Sequence, residues 1–162
     1  MPPVRTRSPG RPRGVSMGNS VLLAEIRDEE IVSAEVESLV RAASVGATVC
    51  FTGLVRDHDR DLPGETVTSL EYSCHPSAPE FMAQVCGEIA EKFGVRVAAA
   101  HRVGTLAVGD VAVAAAVSSA HRGDSFEACR ELIDRIKSEV PIWKRQYGAA
   151  GSAEWVRGTC AH

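Results

Sequence analysis

Two lysines near the C-terminal end of the 162-residue chain are the first candidates for chemistry. The sequence contains 15 arginines and only 3 lysines, and Lys137 and Lys144 lie seven residues apart, on either side of Pro141. A lysine amine can lose its proton, act as a nucleophile or transfer a proton, whereas an arginine guanidinium stays protonated. Because the chain otherwise uses arginine, the lysines at these two positions indicate that an amine is needed there. The alternative is structural, because lysines near a helix C-terminus also complement the helix dipole.

A second group of basic residues lies where strands are predicted to end. Arg56 closes a β-prone segment at the start of a polar loop, and His121 with Arg122 follows another strand and begins a long helix. Backbone N–H groups at a helix start, with Arg and His beside them, suit a phosphate. The alternative is that Arg56 pairs with an acid of its own loop and that His121 is an exposed neighbour of the helix cap.

Two further patterns predict what the chain lacks, and a third shows how weak one of the motifs is. The loop 57–61 alternates acidic and basic residues, which is more typical of a solvated loop than of a metal site, so no metal is expected. Neither G-x-G-x-x-G nor G-x-x-x-x-G-K-[ST] is present, and no nucleotide cofactor is expected. The pair His101-Arg102 also follows a strand, which shows that a His-Arg pair is by itself weak evidence for a site.

Composition restricts the compartment and the partners. The five cysteines are odd in number and widely spaced, without a C-x-x-C pair, which indicates ordinary thiols in a reducing cytoplasm rather than disulfides or a zinc site. No apolar run approaches the roughly 18 residues that a membrane-spanning helix requires. The net charge of −3 disfavours general binding to nucleic acid or to an anionic membrane.

The pattern of elements predicts one α+β domain. Residues 1–19 hold four Arg and four Pro without an acid and are predicted to be a disordered tail, whereas 20–158 form the domain and 159–162 a short C-terminal tail. About three helices are predicted, at 36–45, 76–93 and 124–139. Strands are predicted at 21–26, 47–55, 67–72, 95–103, 111–118, 142–147 and 153–157.

The helical spacing also predicts buried faces. Phe81, Val85, Ile89 and Phe93 form an apolar stripe on the second helix. The third helix has its own stripe, made of Phe126, Cys129, Ile133, Ile136 and Val140. Gly109-Asp110 predicts a hairpin turn between the strands 95–103 and 111–118.

Several motifs, in this order, resemble the MoaE family, the large catalytic subunits of molybdopterin synthase. The resemblance covers about residues 20–157. It rests on Phe51-Thr52-Gly53-Leu54-Val55-Arg56, Leu70-Glu71-Tyr72, His101-Arg102-Val103-Gly104, His121-Arg122 with Phe126-Glu127-Ala128, Lys137, Pro141-Ile142-Trp143-Lys144-Arg145 and Trp155-Val156.

The resemblance implies a fold, a reaction and partners. The fold would be an α/β-hammerhead-like α+β domain, present as a homodimer. Each copy would bind a small ubiquitin-like sulfur carrier (MoaD-like), giving a heterotetramer. The carrier's C-terminal Gly-Gly thiocarboxylate would donate sulfur to cyclic pyranopterin monophosphate, and two transfers would form the dithiolene of molybdopterin. Such a cytoplasmic sulfurtransferase of molybdenum cofactor biosynthesis needs no cofactor of its own.

The resemblance also implies site residues. Lys137 and Lys144 match the catalytic lysines, and the same two residues contact the substrate. The other substrate-binding positions are Leu54, Val55, Arg56, His121, Arg122, Arg145 and Gln146. Gln146 stands where family members often carry an acid, so the chain departs from the family pattern there.

Two alternative functions remain open from the sequence. One is a non-catalytic module of the same fold that binds a ubiquitin-like partner or a phosphorylated ligand; it predicts that arginine can replace both lysines. The other is a regulator whose Arg-rich tail binds nucleic acid, and it predicts that residues 1–16 are essential.

Overall fold

The computed structural model describes residues 20–60 and 63–151, together with the backbone of 153–157. The two predicted tails, 1–19 and 159–162, lie outside the described residues. Within the described residues the chain forms three helices, α1 (Ser33–Leu39), α2 (Ala78–Phe93) and α3 (Arg122–Glu139). The strands are β1 (Val21–Arg27), β2 (Ala47–Leu54), β3 (Val67–Cys74), β4 (Arg96–Arg102), β5 (Gly104–Ala107), β6 (Val111–Ser119), β7 (Ile142–Gly148) and β8 (Ala153–Arg157).

The strands form two four-stranded sheets. The first has the order β1-β4-β6-β2, in which β1 and β4 are parallel and the other neighbours are antiparallel. The second has the order β5-β3-β7-β8 and is antiparallel throughout. Mixed and antiparallel sheets with three helices confirm the predicted α+β class.

Helices cover both faces of the first sheet. The long helices α2 and α3 pack on one face and the short α1 packs on the other. Alternate residues of β4 divide between these layers, since Val97 and Ala99 face the long helices whereas Ala98 and Ala100 face α1. This two-sided burial explains why β6 reads as an almost continuous apolar run. In the part of the chain that the structure describes, no helix is long and apolar enough to cross a membrane.

The predicted apolar stripes of the long helices are each wrong at one aromatic residue. Phe81 is 41% exposed and Phe126 is 60% exposed. Both lie roughly 100° around their helices from the centre of the buried face. Met82 and Cys86 of α2 complete the buried face in place of Phe81, and small residues of α3 allow that helix to pack closely without Phe126.

The first helix is shorter than predicted. It ends at Leu39, with Val40 as its C-cap, and does not continue to Gly46. The Val40 carbonyl accepts hydrogen bonds from Arg96 Nε at 3.1 Å and from Ser118 Oγ at 2.5 Å. Side chains of the first sheet therefore satisfy the helix end, and the chain leaves the helical conformation there.

The predicted hairpin at Gly109-Asp110 is right in the two strands that it pairs and wrong in their connection, because β5 lies between β4 and β6 in the chain. The turn connects β5 to β6, and these strands belong to different sheets. The strands β4 and β6 are antiparallel neighbours, but β5 leaves the first sheet between them and pairs with β3. The turn also anchors the end of β2, because Val55 N donates to the Asp110 carbonyl at 3.0 Å and Gly109 N to the Val55 carbonyl at 2.7 Å. It thus fixes where the loop after β2 begins.

Candidate active site

A small cavity lies where the second sheet meets the α3-covered face of the first sheet. Its volume is about 90 Å³, whereas pockets that enclose a whole small-molecule ligand usually exceed roughly 300 Å³. The cavity therefore admits a narrow group through its mouth rather than enclosing a large ligand. Its lining is apolar apart from Tyr72, His101 and the two lysines, and consists of Gly53, Leu54, Tyr72, His101, Ala112, Val113, Ile133, Ile136, Lys137, Val140, Ile142 and Lys144.

The chain reversal at Pro141 brings the two lysines into this cavity. Lys137 lies on the last turn of α3, and Lys144 is the third residue of β7. The residue before a proline is excluded from the helical region, and Val140 accordingly has extended torsions, with φ −77° and ψ 121°. The sequence prediction that Lys137 and Lys144 share a site thus agrees with their placement, since both line the cavity.

The Asp59 carboxylate lies between Arg56 and the cavity residue Lys144. Its Oδ2 atom is 3.0 Å from Lys144 Nζ and 3.7 Å from an Arg56 guanidinium nitrogen. The Asp59 and Lys144 side chains are 9% and 15% exposed, whereas that of Arg56 is 55% exposed. The structure therefore shows Arg56 paired within its own loop, as the structural alternative predicted. It also shows that the same carboxylate holds Lys144, which the sequence did not indicate.

His101 also lines the cavity, although its His-Arg pair is weak evidence for a site in the sequence. Its side chain is buried and its ring meets Tyr72 edge-on, with 5.1 Å between ring centroids. Burial lowers the pKa of His101 to about 4; a hydrogen bond to the Arg102 carbonyl opposes this shift, and the positive charge of Lys137 adds to it. One sequence signal could have found this residue, since His101 continues the alternation of Val97 and Ala99 on the face of β4 that lies beneath the long helices.

The candidate residues Leu54, Val55 and Arg145 do not all lie at the cavity. Leu54 lines the cavity and is 60% exposed, whereas Val55 is buried in a small core cluster. Arg145 lies on the opposite face of β7 from Lys144, because strand residues alternate, and its guanidinium stacks 5.3 Å from the centre of the Tyr147 ring. Of these three candidates, the structure brings only Leu54 to the lysines.

Gln146 lies on the same face of β7 as Lys144 but deeper in the protein. It is 1% exposed, and neither its Nε2 nor its Oε1 atom has a hydrogen-bond partner among the described residues. An amide in this state is costly, because it has lost its contacts with water without replacing them.

His121 and Arg122 lie at the other end of α3. His121 is the N-cap residue and Arg122 begins the helix, where both are exposed beside a shallow depression lined by Gly46 and Gly123. Fifteen residues separate Arg122 from Lys137, which is about 22 Å along an α-helix. Within one copy of the chain, these two residues are therefore far from the lysine cavity.

The described cysteines lie outside the lysine cavity, and the described acids are not arranged as a metal site. The four described cysteines are free, and none lines the lysine cavity. Burial raises the pKa of Cys86 to about 12 and that of Cys129 to about 11, which disfavours the thiolate. Among the described side chains, no group of three or more His, Cys, Asp or Glu is arranged to hold a metal ion.

Fold and cavity together define a class, namely an α+β domain with a cationic site that suits an anionic group. Comparisons with known proteins then give the family. The family described as "MoaE protein" matches residues 26–139. Molybdopterin synthase catalytic subunit 1 of Mycobacterium tuberculosis is 40% identical over 133 residues, which is 81% of this chain and 88% of that protein. The chain belongs to the MoaE family, as its motifs indicated.

Solved structures agree with this family. The crystal structure of molybdopterin synthase from Staphylococcus aureus has a TM-score of 0.74 and 38% identity, covering 81% of this chain and 94% of that one. A complex of subunits 1 and 2 of molybdopterin-converting factor from Helicobacter pylori shares the fold at a TM-score of 0.64 and 18% identity, covering 82% of this chain and 88% of that one.

Proposed function

We propose that this chain is the catalytic subunit of a molybdopterin synthase. It transfers sulfur from the thiocarboxylated C-terminus of a small ubiquitin-like carrier to cyclic pyranopterin monophosphate, and two transfers form the dithiolene. The observation that carries the proposal is the cavity that holds Lys137 and Lys144 in a chain of the MoaE family. The reaction takes place in the cytoplasm, and the domain that performs it spans residues 20–158.

The cavity suits the end of a carrier tail better than a whole pterin. A Gly-Gly terminus has no side chains, and its narrow backbone matches a space of about 90 Å³. The thiocarboxylate is anionic, so the half-buried Lys137 ammonium attracts it and orients its sulfur toward the mouth. Lys137 also transfers the protons that sulfur transfer requires. None of the described cysteines lines this cavity, which supports a partner protein as the source of the sulfur.

Lys144 and Arg56 lie on the substrate side of the cavity. The phosphate of the substrate is anionic, and it competes with the Asp59 carboxylate for these two cations. Once the phosphate has displaced Asp59, Lys144 stabilises the charge that develops on the opened phosphate or on the acyl intermediate. Leu54, exposed at the same edge, contacts the pterin.

His121 and Arg122 contribute to the site only if the chain is a dimer. One copy holds them about 22 Å from Lys137, given the rise of an α-helix. We therefore assign them to the site of the second copy in a homodimer, where they bind the substrate's phosphate or pterin. Two carriers on this dimer complete a heterotetramer. The Helicobacter pylori relative, whose structure is a complex of two different subunits, is consistent with a carrier partner.

Reconstitution tests the reaction. Purified chain, thiocarboxylated carrier and cyclic pyranopterin monophosphate should yield molybdopterin, detected as its oxidised fluorescent pterin. Lys137→Ala should abolish product while leaving the circular dichroism spectrum unchanged. Near-normal turnover by this variant would contradict the assignment of Lys137.

Mixed dimers test the two-copy site. Lys137→Ala and Arg122→Ala chains should each be inactive, but refolding them together at equal amounts should restore about a quarter of the wild-type activity, because half the dimers are mixed and each mixed dimer has one intact site. If both residues serve the site of one copy, the mixture stays inactive.

A further inference from the structure

One edge of the first sheet has no partner strand within the described residues. β2 is the last strand in the order β1-β4-β6-β2, so one side of its backbone pairs with β6 and the other side is open there. None of its eight residues is buried, although α3 packs on one face of the strand and α1 on the other. A strand of this length with open N–H and C=O groups is a template for a further strand.

The features that usually protect an open edge are missing from β2. Its sequence, Ala47–Leu54, contains no charged residue and no proline, and its register shifts only at the last step. The strand at the opposite edge of the sheet, β1, carries Glu25 and Arg27, which form an ion pair at 2.7 Å. Charged side chains of this kind keep an edge strand from pairing with another chain. β2 is therefore the edge of this sheet that suits a partner.

Phe126 lies 60% exposed on the side of α3 that is above the open edge. The ion pairs Lys92–Glu131 and Glu88–Arg135 show which side of α3 faces α2. Phe126 is roughly 140° and 180° around the helix from Glu131 and Arg135, so it points away from α2. Because α2 packs over β1 and β4 whereas α3 packs over β6 and β2, that side of α3 borders the β2 edge.

The middle of β2 lies beside the middle of α3. Phe51, next to the centre of the strand, is paired with Ala115 of β6, whose carbonyl accepts a hydrogen bond from Cys129 Sγ at 3.6 Å. Along α3, Cys129 is about 11 Å from Arg122 in one direction and about as far from Lys137 in the other. The midpoint between the two halves of the proposed site therefore lies at the centre of the open edge.

A two-fold axis at this midpoint would join the two halves of the site. It would pair β2 antiparallel with β2 of a second copy and place α3 beside its own copy in the opposite direction. Arg122 of one copy would then lie level with Lys137 of the other. The strand agrees with the helix, since Ala47 borders the depression beside His121 and Leu54 lines the lysine cavity.

We propose that β2 and the Phe126 side of α3 form the surface that binds a second copy of this chain, with the two β2 strands antiparallel across a two-fold axis near Phe51. The inference deepens the proposed function and rests on its assignment of His121 and Arg122 to the second copy. One surface thereby accounts for the unprotected edge, for the exposed phenylalanine and for the distance between the two halves of the site. The interface itself needs neither carrier nor substrate.

Two exposed phenylalanines provide a matched pair of variants. Phe126→Glu and Phe81→Glu each add one negative charge at an exposed position of a long helix, but Phe81 lies on α2. Light scattering at low micromolar concentration should give the mass of two chains for wild type and Phe81→Glu, and of one chain for Phe126→Glu. Circular dichroism checks that both variants are folded. A monomeric wild type, or a dimer that survives both substitutions equally, would overturn the proposed surface.

Hydrogen exchange tests the strand itself. About half of the amides of an edge strand point away from its neighbour, and a second β2 would protect those of residues 47–54. We expect them to exchange at least roughly tenfold more slowly in wild type than in Phe126→Glu. The amides of β1, at the other edge, should exchange equally in both and are the internal control. Protection of β2 that appears only after the carrier is added would assign this edge to the carrier and overturn the inference.

Cross-linking tests the orientation without depending on Phe126→Glu. Arg130 lies one turn after Phe126 and next to the level of the axis, whereas Glu131 faces α2. A short bismaleimide should link Arg130→Cys chains into covalent dimers, and Glu131→Cys chains no more than wild type, whose own thiols set the background. Equal linking of the two variants would overturn the antiparallel arrangement.

The outcomes separate this surface from the proposed reaction. A wild-type chain that is active in reconstitution but shows neither β2 protection nor the Arg130→Cys cross-link would overturn the surface and leave the reaction standing. A chain that shows both but forms no molybdopterin with its carrier would overturn the proposed function and leave the surface standing.

Discussion

The carboxylate of Asp59 lies 3.0 Å from the ammonium of Lys144, one of the two lysines that line the cavity. Arg56 lies 3.7 Å from the same oxygen, so one internal anion serves two cations at the place where an anionic ligand would enter. The free chain is thereby spared an uncompensated pair of positive charges. Because the neutralising group is a side chain of a loop, a stronger anion can take its place.

Asp59→Asn should tighten the binding of a small anion. The substitution keeps the size of the side chain and removes the negative charge that competes at Lys144 and Arg56. We expect the dissociation constant of inorganic phosphate, measured by calorimetry at low salt, to fall about fivefold, equivalent to about 1 kcal/mol.

Asp57→Asn is the matched control, since it makes the same charge change in the same loop. Asp57 is 67% exposed and pairs with His58 at 2.9 Å rather than with a cation of the cavity. Its effect on phosphate binding should be small. Equal tightening by both variants would show that net charge, and not the Asp59 contact, controls the affinity.

Replacing each lysine by arginine should separate catalysis from binding. Arginine keeps the positive charge but stays protonated, so Lys137→Arg should lower molybdopterin formation by about 100-fold or more. Lys144→Arg should act in the same direction. Lys92→Arg should retain wild-type activity, because Lys92 forms a surface ion pair with Glu131 that arginine can also make. Full activity of both cavity variants would show that the reaction needs the two positive charges and not an exchangeable amine.

The lysine pair was predictable from sequence because one local feature positions it. A helix that must end before Pro141 and a strand that must begin after it bring Lys137 and Lys144 together without reference to the rest of the fold. The distance between Arg122 and Lys137 was equally predictable, since both lie on one helix of known rise. The family motifs assign Arg122 and Lys137 to one site. The length of α3 shows that the two residues lie far apart within one copy of the chain.

His101 could not be assigned from sequence because its surroundings come from other elements. Its burial requires that α3 cover the end of β4 and that Tyr72 arrive from the second sheet. The exposure of Phe126 has a similar cause. The spacing of Phe126 places it near the apolar stripe of α3, but smaller residues of that helix are the ones buried against the rest of the protein.

Gln146→Met should stabilise the fold. The Gln146 amide is 1% exposed, and within the part of the chain that the structure describes neither of its polar atoms has a hydrogen-bond partner, so an apolar side chain of similar length removes a desolvation cost. We expect the free energy of unfolding in urea to rise by about 1 kcal/mol. Gln84→Met is the control, because exposed Gln84 donates to Glu88 at 2.9 Å and should gain nothing. Destabilisation by Gln146→Met would show that the amide is satisfied in solution.

Arg135→Met should reduce stability in a manner that depends on pH. Arg135 of α3 forms ion pairs with Glu88 of α2 and with Glu139. Hydrogen bonds from Gln84 and Arg135 lower the pKa of Glu88. The hydrogen bond from Arg135 also lowers the pKa of Glu139. A carboxyl with a lowered pKa stabilises the fold above its unfolded value, near 4.5, and this contribution is lost as the pH falls through the folded value. The difference in Tm between wild type and Arg135→Met should therefore be largest near neutral pH and shrink as the pH falls below about 4.5. Arg130→Met is the control, since Arg130 is exposed on the same helix and forms no ion pair with a described residue. A Tm difference that stays constant with pH would mean that Arg135 acts through the packing of its aliphatic stem rather than through its charge.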